Sequence, residues 1–540
     1  MLYFLASAAA LLPCLLTTTA APAAPLSVSP TLSSSGVLAA GVPLSSLWGY
    51  ATPGAAVAAA LSFPGAPAVP PALAGADGIW RAALPPLAAT STPFTITLSS
   101  AGATDVVLTD MLVGVVLLCS GQSNLQLSIA MALNASAEIA ALDSYGATLR
   151  VMYAAGAGSA APLTDLLPPQ LPWQRVSAAG AGRASWAGFS ATCFYTGRAL
   201  WRALGSGAVP VGLVEAAVGG TAIRQWSPTQ ALARCPQPYN SPVPYGTAPY
   251  AHSTLYNAQI APFGTGPTAF TAVLWDQAES DSFPQTPIDY YGCAGPALVA
   301  AWRALLQAPL LPFVLQHLQP YGAPSLEVLR SAQLAALVLP ATGYGSAMDL
   351  GDPDSPLGAV HFRNKQAGAE RLALALRAVA LGEAAAAAAY PPPQFLAQAT
   401  WLSGNGSQFV VDVQFFRAGG GAALALTLAP PPACPPTYNC SCLEVAGSDG
   451  ALYPASSYSL TAGGLGLRIV AQGRNGTYPV GSRYAWSEWP LPVLYAGGLP
   501  VLPWSQMNVR QGGGARRARG RNAGGGGFCP GTLATLLTLV

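Results

Sequence analysis

Gly121-Gln122-Ser123-Asn124 stands where an apolar run hands over to a helical pattern, a position that suits a serine nucleophile. Upstream, Val113-Gly114-Val115-Val116-Leu117-Leu118-Cys119 is short, β-branched and unbroken, which predicts a strand buried on both faces. Downstream, Leu125, Ile129, Met131 and Leu133 begin a helical spacing. A hydroxyl at this junction is lifted to the carboxyl edge of a sheet, where open α/β sheets hold ligands. The positive end of the following helix would favour a developing negative charge there. The stretch fits a second reading equally well, in which Ser123 only caps the helix.

Polar residues are scarce enough to narrow the search for partners. The chain holds one lysine, Lys365, and three histidines, His252, His317 and His361. Lys365 and His361 fall within five residues of each other. His252 reads as a structural residue or one behind the site, and His317 ends a strand, where it could line a pocket.

The elements that would position these residues change character along the chain. Residues 1–24 are apolar, end in small residues and read as a signal peptide. Residues 25–104 carry short strands between Pro/Gly turns, the pattern of a small β-sandwich-like domain. Residues 105–383 alternate strand and helix signals, which predicts an α/β domain with a largely parallel sheet. Its further strands are predicted at Val209–Ala217, Ala269–Trp275 and Leu311–Gln316, and its last helix runs from Lys365 to Ala380. Residues 384–393 read as an Ala/Pro linker, 394–505 as a second β domain, and 506–540 as a disordered Gly/Arg-rich tail.

Composition excludes several classes. A chain of 540 residues, 52% hydrophobic and 8% charged, is too long for one core. A net charge of +2 points away from nucleic acid. Beyond the N-terminus no apolar run is long enough to span a bilayer. Eight cysteines remain after the leader, without zinc-ligand spacing, and with four Asn-x-Ser/Thr sequons they indicate a disulfide-bonded glycoprotein of the secretory pathway, secreted or lysosomal/vacuolar. Neither their pairing nor the oligomeric state is legible.

An ordered set of short motifs carries a resemblance. Ser120-Gly121-Gln122-Ser123-Asn124, Gly219-Gly220-Thr221 with Trp226-Ser227, Leu255-Tyr256-Asn257-Ala258, Trp275 with Gln277 and Glu279-Ser280, and Asp349-Leu350-Gly351-Asp352 leading to His361, Arg363, Lys365 and Gln366 occur in that order. Trp48-Gly49-Tyr50 and Arg483-Tyr484-Ala485-Trp486 extend the set to both ends of the chain. Together they resemble the sialate O-acetylesterase family of SGNH hydrolases. The resemblance implies a flavodoxin-like three-layer α/β domain flanked by the two β domains. It also implies a carboxylic ester hydrolase, without metal or organic cofactor, that removes O-acetyl groups from sialic-acid-type or other sugars. Ser123 would attack the acetyl carbonyl and His361 would shuttle the proton. The backbone N–H of Ser123, a glycine N–H from Gly219 or Gly220, and the Gln277 amide would form the oxyanion hole. Asn124, Asn257, Glu279 and Asp352 would support them.

Three positions depart from the family pattern. Ala278 replaces a glycine, Phe362 replaces a proline, and Gly358 stands where many SGNH enzymes have an aspartate. The orienting role would fall to Asp352, to Asp354 or to a backbone carbonyl, the last leaving a Ser-His dyad. Two other functions stay open: an acetyl xylan or other polysaccharide esterase, and a catalytically silent glycan-binding protein on the same scaffold.

Overall fold

The apolar run that ends at Gly121 is the second half of a 16-residue strand, β1 (Val106–Gly121), around which the molecule is built. The computed structural model describes residues 25–508 except 43–44, 155, 184, 236–250, 267, 283–289, 404–405 and 418–424. The proposed signal peptide and nearly all of the Gly/Arg tail, with Cys529, lie outside the described residues, as does the sequon at Asn405. From Met111 onward every residue of β1 is buried, which is why its sequence shows no polar alternation.

Six further strands complete the central sheet: β2 (Leu149–Tyr153), β3 (Leu171–Arg175), β4 (Val211–Ala217), β5 (Ala272–Asp276), β6 (Phe313–His317) and β7 (Thr342–Ser346). They lie in the order β3-β2-β4-β1-β5-β6-β7. All neighbours are parallel except β3 against β2. This corrects the flavodoxin-like expectation in one respect. The flavodoxin order puts the first strand beside the second, whereas here β4 is inserted between them. Burial explains the placement. β4 is covered along its whole length and needs a neighbour on each side, while β3 alternates in and out and takes the edge.

The sheet is the middle of three layers. Cys119 of β1 is bonded to Cys193 of helix α1 (Ala191–Ala203), and Leu274 of β5 is level with Cys119. The next residue, Trp275, points to the opposite face and packs on Trp302 of helix α2 (Tyr291–Leu305). Helix α3 (Lys365–Val379) joins α1 in the first layer. Asn364 caps α3 by accepting from the Ala367 N–H at 3.3 Å, and Gly382 follows its end with φ of 61°.

The N-terminal β region joins the central sheet. Its strands Ala56–Leu61 and Thr90–Ser100 continue the central sheet through the first half of β1. A small sheet of Ser27–Val28, Ser45–Tyr50 and Ile79–Leu84 shares their core of Leu47, Trp80, Ile96, Leu98 and Val113. On the other flank, a seven-stranded antiparallel sheet between Gln394 and Met507 packs over Phe409, Val411, Ile469, Tyr484 and Trp504. Residues 384–393, read as linker, hold a helical turn at Ala384–Ala389. Alanine is the strongest helix former, and Pro391-Pro392-Pro393 stops the turn.

Candidate active site

Strand register brings three loops to one rim. Gly121 of β1 is level with Ala217 of β4 and Asp276 of β5. The residues that follow each end therefore meet at the carboxyl edge: Gln122-Ser123, Val218-Gly219-Gly220 and Gln277-Ala278-Glu279. Gly121 is required for this. Its φ is 148°, and a Cβ there would lie 1.9 Å from the Asp276 carbonyl oxygen.

Ser123 is the first residue of a helical turn, Ser123–Gln126, and Gln122 rather than Ser123 occupies the cap position. Its Oγ lies 2.9 Å from His361 Nε2. The capping reading of Ser123 therefore fails. So does the helix-dipole argument, because four residues carry almost no macrodipole. The local contribution is the N–H of Ser123, which has no hydrogen-bond partner among the described residues.

His361 sits before α3, on the loop that follows β7. Its Nδ1 is 2.7 Å from the Leu357 carbonyl oxygen. A carbonyl only accepts, so Nδ1 carries the proton and Nε2 presents a lone pair to Ser123. Asp352 does not reach the imidazole. It binds the Arg363 guanidinium through both oxygens at 2.6 and 2.9 Å. Arg363 holds the Asp352 carboxyl below the usual range. Asp354 is exposed, and Gly358 has φ of 86°. Of the orienting groups considered, the backbone carbonyl holds the position.

The expected oxyanion donors divide. The Gly219 N–H is taken by Gln126 Oε1 at 2.8 Å, and Gln126 Nε2 donates to the Tyr153 hydroxyl at 3.0 Å. Gly219 still packs on Ser123, since a Cβ there would lie 3.3 Å from the serine Cβ. Gly220 lines the cleft with φ of 73°, and its N–H has no partner among the described residues. Gln277 is fully buried and turned inward. Its amide donates to Gln122 Oε1, the Thr221 carbonyl and Asp281 Oδ2 at 2.7–3.0 Å. Its side chain is thus not an oxyanion donor but a tie between the three loops.

Two of the four supporting residues, Asn124 and Glu279, adjoin Ser123, and Asn257, like Asp352, does not. Asn124 Nδ2 donates to Glu279 Oε1 and to the Val360 carbonyl, the latter at 2.9 Å, and Lys365 Nζ donates to Asn124 Oδ1 at 2.7 Å. Asn257 instead donates to the Ser159 carbonyl at 3.1 Å and pins a neighbouring loop. His317 is buried against Ser346, Nδ1 to Oγ 3.0 Å, and burial pulls its pKa down to about 3. Neither it nor His252 lines the cleft.

The cleft over Ser123 has a volume of about 830 Å³. Trp186 and Tyr321 stand on its wall, and Trp186 packs edge-on against the His361 ring at 5.2 Å. Sequence reasoning missed both aromatics, which carry no motif. It also missed the charge cluster beneath the site. Burial, with Glu279 nearby, pushes Asp276 up to about 8, and its carboxyl makes no hydrogen bond among the described residues. Burial raises Asp281 to about 6. Burial lowers Lys365 against the pull of Asp276 and Glu279. The scarcity of lysine was the one available signal for this cluster.

A serine hydroxyl held on an imidazole at the carboxyl rim of an α/β sheet is the arrangement of the serine hydrolases. Comparison with known proteins narrows the class. Residues 176–376 match the family model described as "Carbohydrate esterase, sialic acid-specific acetylesterase". The chain is similar to the sialate O-acetylesterases of Pongo abelii, 34% identical, and Homo sapiens, 33% identical, each over 294 residues. Either match covers 51% of this chain and 55% of the relative, so the chain spans about half the length of the curated relatives it matches. Among solved structures, a carbohydrate acetylesterase from Xanthomonas citri is 27% identical with a TM-score of 0.72, covering 88% of this chain and 98% of its own. The resemblance drawn from the motifs is matched by these findings: residues 176–376 fit the sialic acid-specific acetylesterase family model, and the curated relatives are sialate O-acetylesterases.

Proposed function

We propose that the protein is a carbohydrate O-acetylesterase that works through an acetyl-enzyme on Ser123. The observation that carries this reading is the 2.9 Å contact between Ser123 Oγ and His361 Nε2 at the floor of an 830 Å³ cleft. His361 Nε2 takes the hydroxyl proton as Oγ attacks the acetyl carbon. The oxyanion forms against the open N–H groups of Ser123 and Gly220. The imidazolium, steadied by the Leu357 carbonyl, returns its proton to the departing sugar oxygen. Water then attacks the acyl carbon as His361 Nε2 takes its proton, the bond to Ser123 Oγ breaks, and His361 returns the proton to Oγ as acetate leaves. Trp186 and Tyr321 supply apolar faces of the kind on which a sugar ring stacks.

The relatives' names favour an acetylated sialic acid as substrate. A specific observation keeps a neutral acetylated polysaccharide as the second reading. The described lining includes Glu279 but no Lys or Arg, so a sialate carboxylate would meet no cation there. Three observations weigh against the silent-binder reading. Leu357 replaces the missing aspartate, Ala278 adopts the glycine-like φ of 149°, and Phe362 is buried beneath the Lys365 ammonium. Three disulfides, Cys119–Cys193, Cys235–Cys293 and Cys434–Cys440, support a secretory-pathway location.

Acetate release from p-nitrophenyl acetate tests the reaction. Ser123→Ala should lower kcat/KM by at least about 10³; equal rates for mutant and wild type would end the esterase reading. Acetylated sialosides set against acetylated xylan then separate the two substrate classes.

A further inference from the structure

Resting on the esterase reading, we propose that Lys365 is a positioning residue for Ser123 and His361, acting through Asn124. Asn124 directly follows the serine, and Val360 directly precedes the histidine. The Asn124 amide links those two backbones by donating to the Val360 carbonyl at 2.9 Å. An asparagine side chain can sit either way round, and its neighbours decide. An ammonium only donates. Lys365 Nζ, 2.7 Å from Asn124 Oδ1, therefore fixes the carboxamide with its NH₂ toward Val360 and Glu279, both acceptors. A neutral amine, which accepts as well as donates, or a group with no donor, loses that selection, and the amide can turn its oxygen toward the Val360 carbonyl and break the link between the two backbones.

The surroundings hold the ammonium in place. Lys365 is 1% exposed, and its Nζ lies 3.6 Å from the centroid of the Phe362 ring. The titratable groups that face it are Asp276 at the end of β5 and Glu279 in the turn that follows. Asn124 and Phe362, its neighbours from the other two loops, are uncharged. Phe362, where the family has proline, thus belongs to the same device.

The test uses the full chain. Lys365 is the one lysine in the sequence, so protein labelled at lysine Nζ gives a single resonance that reports its titration directly. Burial sets that midpoint below the ordinary lysine range. The expected result is that kcat for p-nitrophenyl acetate falls through the same midpoint, and that Lys365→Arg, whose guanidinium stays charged, removes this alkaline limb. Lys365→Met should lower kcat about a hundredfold with KM changed less than about threefold. A kcat that stays flat while the resonance titrates overturns the proposal, as does a limb that survives in Lys365→Arg. The wild-type measurement decides even where Lys365→Met does not fold. Turnover independent of Ser123 would instead sink the esterase reading, a different failure seen in Ser123→Ala.

Discussion

A carbonyl oxygen where a carboxylate is expected is the feature that most separates this site from an Asp-His-Ser triad. The Leu357 carbonyl fixes the His361 tautomer but brings no full negative charge to the imidazolium. Putting the acid back at position 358 should not help. Gly358 has φ of 86° and points into open space, so Gly358→Asp is expected to leave kcat unimproved and to cost about 1–2 kcal/mol of stability in urea unfolding. Ala278 poses the inverse case. Its φ of 149° is glycine territory, and its side chain is buried. Ala278→Gly should raise stability by about 1 kcal/mol, because relief of strain exceeds the extra entropy of glycine in the unfolded chain. A loss on the same urea curve would refute the strain argument.

At the scale of elements, the rim depends on how closely β1 and β5 approach. The 1.9 Å clash that a Cβ at Gly121 would make with the Asp276 carbonyl must be relieved by parting the strand ends. Gly121→Ala is therefore expected to cost about 3 kcal/mol or more, and to lower kcat along with it. The inward turn of Gln277 has a pH consequence through Asp281, which accepts from it at 2.7 Å and from the Ile223 N–H at 2.9 Å. Burial raises the Asp281 pKa from 3.8 to about 6. The folded state thus binds the proton more tightly than the unfolded state. The contribution is full below pH 3.8 and is lost as pH rises through about 6. Relative to wild type, Asp281→Asn should gain stability across that window, by up to about 3 kcal/mol. Melts at pH 4 and pH 7 that differ by the same amount in both proteins would exclude it.

Over the whole molecule, the C-terminal β region packs behind one wall of the cleft. Tyr321 and Gly322 line it, and a Cβ on Gly322 would lie 2.2 Å from the Tyr438 ring, which stacks on Trp489 at 4.4 Å. Arg330 holds the two parts together. It is fully buried and donates to the carbonyls of Leu318 and Gln319 on one side and of Ser487 and Glu488 on the other. Arg330→Met leaves four carbonyls without that donor, and stability should fall by about 3 kcal/mol or more. Calorimetry should then resolve the C-terminal domain as an earlier, separate transition. A single unshifted transition would show that the contact holds nothing.

The sequence by itself determined the order and type of the larger elements and the place of the candidate nucleophile. A strand buried on both faces must read as an unbroken apolar run, so β1 and the position of Ser123 at its end were legible. So was Gly382 as the stop of α3. Strands β2, β3 and β7 were not anticipated, because Leu149–Tyr153 carries a charge, Leu171–Arg175 is an edge and three of the five residues of Thr342–Ser346 are glycine or serine. The open N–H groups beside Ser123, the carbonyl behind His361 and the contacts of Lys365 were decided only by tertiary structure. Each depends on which way a side chain or a peptide faces once distant loops share one rim. Residue type limits what a group can bond to, but only its neighbours in space choose the partner.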